Sequence, residues 1–151
     1  MSQLPLDKTE SGRVINDARV AQGVTWADLA AAINRPLVWT VAALLGKHPV
    51  AAEDAATICA RLGLGADVQA ALQRQPYRIA EPSVASDPTV YRLHEAVDVY
   101  GAALKELIHE EFGDGIMSAI NFAVSFERRP DPNGDRVVIT FDGKFLPYQW
   151  G

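Results

Sequence analysis

Three residues in the second half of the chain have side chains suited to holding a small anion: Arg92, Glu95 and Ser118. Arg92 and Glu95 lie three positions apart, which on a helix sets them about 60° from one another on one side, and Val99, Ala102 and Glu106 extend that side. An arginine near a helix N-terminus is disfavoured by the macrodipole unless an anion accompanies it. The pair therefore reads in two ways: as an ordinary exposed ion pair worth about 0–1 kcal/mol, or as a guanidinium offered to an anionic ligand on a contact surface. Ser118 follows the turn Gly113-Asp114-Gly115 and has the parity of Ile120 and Phe122. If strand geometry reaches back that far, its hydroxyl points inward and needs a partner. It is then either a structural serine or a hydrogen-bond donor to an anion. The flanking glycines of a nucleophile elbow are absent.

Other reactive types are sparse. His48 sits in a loop beside Pro49, and His94 and His109 fall on different turns of one helix. With one cysteine and no histidine pair at i, i+4, a structural or catalytic zinc is not expected, and there is no glycine-rich phosphate loop. Cys59 has no close Lys, Arg or His in sequence, so it reads as a small core residue rather than a reactive thiol.

These candidates must be positioned by a mainly α, α+β chain. Trp26, Leu29, Ala30 and Ile33 recur at helical spacing after Thr25, an N-cap with Asp28 three residues on. Pro36 opens a second helix that Gly46 stops, and further helices cover Ala51 to Leu62 and Ala66 to Gln73. Two helices joined by a tight turn resemble a helix-turn-helix. Yet Pro36 to Leu45 reads PLVWTVAALL, with Thr40 as the only polar residue. A helix apolar on all sides packs on all sides, which argues against base reading.

Residues 77–86 read as a connecting loop. Asp87-Pro88 then starts a long helix with the stripe Leu93, Val97, Tyr100, Leu104 and Leu107 as its core face, ending at Phe112. The period switches to two at Ile120, Phe122, Val124 and Phe126, a strand with one buried face, and Asn133-Gly134 turns the chain into a second strand, Arg136 to Phe141. A lone hairpin is marginal in water, so pairing with a second copy is the economical solution. The expected organisation is a repressor-like bundle over 1–76, a loop over 77–86 and a catalytic and dimerising part over 87–151.

Composition agrees with a folded protein: 48% of the 151 residues are hydrophobic and 22% charged. The net charge is −5, with residues 1–75 balanced at seven basic against seven acidic. Neither half carries the positive field that phosphate backbones require, so nucleic acid is a poor partner. No signal peptide or bilayer-spanning run is seen, and a cytoplasmic protein without membrane partners is expected.

The stretches Asp87 to Glu95, His109 to Phe122 and Val138 to Pro147, with a weaker likeness around Ala42-Ala43-Leu44-Leu45-Gly46 in the first half, closely resemble the cyanases. The resemblance implies a repressor-like domain followed by a helix and hairpin intertwined between two subunits, five such dimers forming a decamer. It implies a lyase that reacts cyanate with bicarbonate as co-substrate, giving ammonia and carbon dioxide through carbamate, with no cofactor. It also places the family's catalytic Arg, Glu and Ser on Arg92, Glu95 and Ser118. His94 departs from the family, in which many members carry an aromatic residue such as Tyr. The competing expectation is a noncatalytic helix-turn-helix regulator with a dimerising C-terminal domain.

Overall fold

The structure, a computed structural model, describes residues 5–151. Among these, the chain forms helices α1 (Lys8–Ala21), α2 (Trp26–Ala32), α3 (Leu37–Leu44), α4 (Ala52–Leu62), α5 (Ala66–Gln73), α6 (Pro82–Ala85) and α7 (Pro88–Phe112), then strands β1 (Gly115–Arg129) and β2 (Arg136–Pro147). The two strands form a two-stranded sheet. Their short connection makes it an antiparallel hairpin. Contacts divide the described residues into two compact units, one holding residues 5–78 with Val124–Thr140, the other Ile79–Ala123 with Phe141–Gly151.

Helices α1 to α5 close around a core in which Ile15, Leu29, Leu44, Ile58 and Leu72 are fully buried. The expected face of α2 is the one that packs: Leu29, Ala30 and Ile33 are buried, and Trp26 lies against the core. Thr25 and Asp28 cap α2 reciprocally, the Asp28 amide donating to Thr25 Oγ1 and the Thr25 amide to Asp28 at 2.8 Å. Hydrogen bonding from the Thr25 amide, and then from its side chain, holds the Asp28 carboxyl below its ordinary pKa. Helix α1 has the same device, with Asp7 Oδ1 accepting from the Glu10 amide at 2.7 Å. The sequence reading did not delineate α1, although Asp7 and Glu10 have capping-box spacing. Lys8 ties the first helix to the last of the bundle by donating to the carbonyls of Leu72, at 2.8 Å, and Ala71. A cation at these last-turn carbonyls complements the dipole of α5, while burial lowers the Lys8 pKa.

In α3 the lone polar side chain turns inward. Thr40 is fully buried and donates to the Pro36 carbonyl at 2.9 Å. Leu37, Val38, Trp39, Val41 and Ala42 are half-buried.

Beyond the bundle, three sequence expectations are corrected. Residues 77–86 are not loop throughout, because Pro82 starts the single turn of α6. The hairpin is longer than its alternation suggested, β1 beginning at Gly115 and β2 running to Pro147. The stripe of α7 finds no core among the described residues: Leu93, Val97, Tyr100, Leu104 and Leu107 are 50–63% exposed, and no residue of α7 is buried. The face of β1 is likewise open, with Ile120 98% and Phe126 54% exposed. The periodicity was real, but a two-stranded hairpin does not supply the surface to cover a helix of 25 residues.

The capping box of α1 supplies a direct test. Asp7→Ala should lower the stability of the bundle by about 1 kcal/mol, read as a lower urea midpoint at unchanged slope. An unchanged midpoint would show that the Asp7–Glu10 box contributes nothing to α1.

Candidate active site

Asp87 begins the helix that carries the charged pair, its carboxylate accepting from the amides of Thr89 and Val90 at 2.8 and 3.1 Å. Pro88, which has no N–H to leave unpaired, fits the first helical position. With the helix start so defined, Arg92 and Glu95 meet on one side, Arg92 Nη1 donating to Glu95 Oε2 at 2.7 Å. Both side chains remain exposed. The Arg92 guanidinium also lies 5.9 Å from the ring centre of Tyr91.

Ser118 is only 4% exposed. Ile120, of the same parity, is 98% exposed, and Ser118 Oγ finds its partners on its own strand, accepting from the amides of Ile120, at 3.1 Å, and Asn121, at 2.9 Å. A hydroxyl has two acceptor lone pairs and one proton. Both acceptor positions are filled, and among the described residues nothing accepts the proton.

The hairpin root keeps this serine in place through close backbone approach. A Cβ on Gly143 would collide with the Ser118 carbonyl and the Met117 side chain, and one on Gly115 with the Leu146 carbonyl and the Phe145 ring. Phe145 in turn stacks on Phe112, at the last turn of α7, with ring centres 5.1 Å apart. An open groove of about 490 Å³ runs beside this root, its lining including Leu104, Lys105 and His109 from α7, Ile116 and Met117 from β1, and Tyr148. Sequence reading named Ser118 but not Gly143, whose role depends on cross-strand register.

One chain does not bring the three candidates together. The stretch of α7 from Arg92 to Phe112 rises about 30 Å at ~1.5 Å per residue. Ser118 follows Ile116 and Met117, which line a groove with Gly101, Leu104, Lys105, Ile108 and His109 in the second half of α7. Arg92 and Glu95 pair, while the bonds of Ser118 are to Ile120 and Asn121.

The remaining reactive types stand apart. Cys59 is a buried free thiol whose pKa is raised by burial and by Asp67. His48 stacks on Trp39, and burial together with Arg78 and Lys8 lowers its pKa. Among the described residues, His, Cys, Asp and Glu form no group of three or more able to hold a metal ion.

Comparison with known proteins bears on both parts of the chain. Residues 3–76 match the family described as cyanate hydratase, N-terminal, and residues 82–150 the cyanate lyase C-terminal domain. The cyanate hydratase of Mycolicibacterium vanbaalenii is 60% identical over 134 residues, 88% of each chain. That of Pseudomonas savastanoi pv. phaseolicola is 51% identical over 133 residues, covering 87% of this chain and 86% of its own. A crystal structure of cyanase from T. urticae superposes with a TM-score of 0.80 at 35% identity, over 91% of this chain and 97% of that one. The fold thus defines the class, a helical bundle followed by a long helix and hairpin as in a solved cyanase. The chain belongs to the cyanate hydratase, or cyanase, family.

The close approach at Gly143 generates a prediction about the hairpin. Gly143→Ala forces a methyl against Ser118 and Met117, an overpacking that should cost about 1–3 kcal/mol in denaturant unfolding. Unchanged stability would show that β2 yields at this point and does not constrain Ser118.

Proposed function

We propose that this protein is a bicarbonate-dependent cyanate hydratase whose Arg92, Glu95 and Ser118 hold and join two small anions. The observation that carries the reading is the state of Ser118: a buried hydroxyl with both acceptor positions filled and its proton free. Such a group can only donate, and the two amides pointing at its oxygen polarise the O–H bond further. An anionic oxygen is the partner that this donor lacks.

Cyanate and bicarbonate repel one another and lose translational freedom when brought together. Arg92 offsets the repulsion with a permanent charge and a planar fork of donors suited to carboxylate-like oxygens. Glu95, bonded to Nη1, orients the fork and leaves the remaining N–H groups for substrate. A bicarbonate oxygen attacks the cyanate carbon while the nitrogen takes one proton from solvent together with the bicarbonate's own hydroxyl hydrogen. Breaking the bond between the bicarbonate carbon and that oxygen then releases carbon dioxide and leaves carbamate. Carbamate takes a second proton and separates into ammonia and another carbon dioxide. Alignment alone lowers such a barrier by up to about 7–11 kcal/mol, and the sequence of steps needs no cofactor.

The site is built where subunits meet. Arg92 and Ser118 occupy distant ends of one chain's helix and hairpin, and the apolar stripe of α7 is open along its length. An exposed apolar surface of this extent marks an interaction face, and the family resemblance makes the assembly a decamer of five dimers. The expected domain roles follow, with the bundle over 1–76 packing and 87–151 supplying catalysis. The cytoplasm suits a protein whose single thiol stays reduced.

Ammonia release from cyanate, measured with and without bicarbonate, tests the activity. Turnover should require bicarbonate, and Arg92→Lys should lose most of it while keeping the wild-type circular dichroism, since a point charge replaces a bidentate fork. Near-normal turnover in Arg92→Lys would remove Arg92 from the site.

Sharing of the site between chains is tested by mixing. Arg92→Ala and Ser118→Ala chains, each inactive alone, should regain partial activity when unfolded and refolded together, because mixed assemblies contain sites with both wild-type residues. If mass spectrometry shows mixed oligomers and activity stays absent, both residues serve one site from the same chain.

A further inference from the structure

Past the end of β2 the chain does not leave the hairpin. The Tyr148 amide donates to the Asp114 carbonyl at 3.1 Å, extending the pairing to the residue before β1. Trp150 then returns to the same residue, its indole Nε1 donating to Asp114 Oδ2 at 3.3 Å. The rings of Tyr148 and Trp150 stack with centres 5.4 Å apart and an interplanar angle of 25°. Trp150 is nevertheless 81% exposed. Leaving so much indole in water yields little burial energy, so the directional bond to Asp114 is the distinctive feature of this contact.

The gripped residue is well placed to matter. Asp114 lies between Gly113, at φ 92°, and Gly115, whose Cα admits no side chain beside Leu146 and Phe145. Gly113 is the one conformationally permissive link between the rigid α7 and β1. Without a hold on Asp114, rotation there moves the start of β1, and Ser118 is four residues on. Tyr148 also lines the groove beside Ile116 and Met117, the residues that join Asp114-Gly115 to Ser118.

We infer that Tyr148 and Trp150 are positioning residues, a latch on Asp114 that sets the direction of the Ser118 hydroxyl. The catalytic part of this inference rests on the proposed role of Ser118. The latch acts on geometry rather than on charge, so its loss should weaken the step that Ser118 serves and leave Arg92 untouched.

The test compares wild type, a variant lacking Tyr148–Gly151, Trp150→Phe, Asp114→Ala and Asp114→Asn, all as assembled protein. Deleting the tail should lower kcat/KM for cyanate about 10- to 100-fold, the scale of a misplaced catalytic group. Trp150→Phe keeps the ring stack and loses the donor, and should lose about five-fold. Asp114→Asn, which keeps an acceptor, should retain several-fold more activity than Asp114→Ala. Equal activity in Asp114→Asn and Asp114→Ala would overturn the latch, as would full activity in the tail deletion.

A second readout is independent of turnover. The amides of Ile120 and Asn121, held by Ser118 Oγ, should exchange hydrogen about five-fold faster in Trp150→Phe. Unchanged exchange overturns the latch whatever the activity, and if the tail deletion fails to assemble, Trp150→Phe decides. A wild-type protein inactive toward cyanate, with faster exchange in Trp150→Phe, would instead overturn the function and keep the latch.

Discussion

The apolar surface of α7 and β1 is the constraint on which the rest depends. A straight helix of 25 residues and a hairpin of two strands expose more apolar side chain than they can cover for one another. Five large residues along one face of α7, together with Ile120, Phe126, Val137 and Phe141 on the hairpin, stand half open or more. At about 25 cal/mol per Å², surface on this scale has a large driving force toward a partner. The bundle of α1 to α5 has no such deficit, since its core is closed. The chain therefore combines a self-sufficient part with one whose burial is incomplete, and all three candidate site residues lie in the incomplete part.

That placement matters for electrostatics. An exposed Arg92–Glu95 pair at the helix surface contributes little, being solvated and screened. Covering the face that bears it would raise the strength of every charge interaction there, so an ion pair of small consequence in one chain acquires force in an enclosed site. A bare arginine next to the N-terminus of α7 would be held unfavourably by the helix dipole, and Glu95 offsets this while remaining on the same side. Ser118 needs no such enclosure from a partner, since its own hairpin root already buries it.

The legible parts of the fold were those written in local chemistry. Thr25 with Asp28, Asp87 with Pro88, and glycines at the ends of α3 and α4 each fix a helix boundary through bonds that span only a few residues. Arg92 and Glu95 were legible for the same reason, their contact being one helical turn. Helix α1 was harder because Val14, Ile15 and Ala18 form a thin stripe, although its capping box lies within four residues. The length of the hairpin was concealed by composition: Gly115 and Gly143 look like turn residues, yet each is a point where facing backbone leaves no room for a Cβ. The partners of Ser118 are amides two and three residues on in its own strand, which an alternating pattern does not specify. The latch on Asp114 joins residues 36 apart in sequence, and no local pattern encodes such a pairing.

The α2–α3 pair shows why the site, rather than the shape of the bundle, decides between the two readings of this chain. Two short helices joined through Asn34, at φ 51°, and Arg35 have the outline of a DNA-reading motif. A reading helix needs polar side chains at its outer face to meet base edges. In α3 the only hydroxyl, on Thr40, is buried and bonded to Pro36. Arg35, just before the helix, is bonded to Asp54 at 3.0 Å. What remains outward on α3 is apolar and partly covered, a surface for packing against protein. The chemistry suited to small anions lies elsewhere, in the Ser118 hydroxyl, for whose proton the described residues give no acceptor, and in the Arg92 guanidinium with donors to spare.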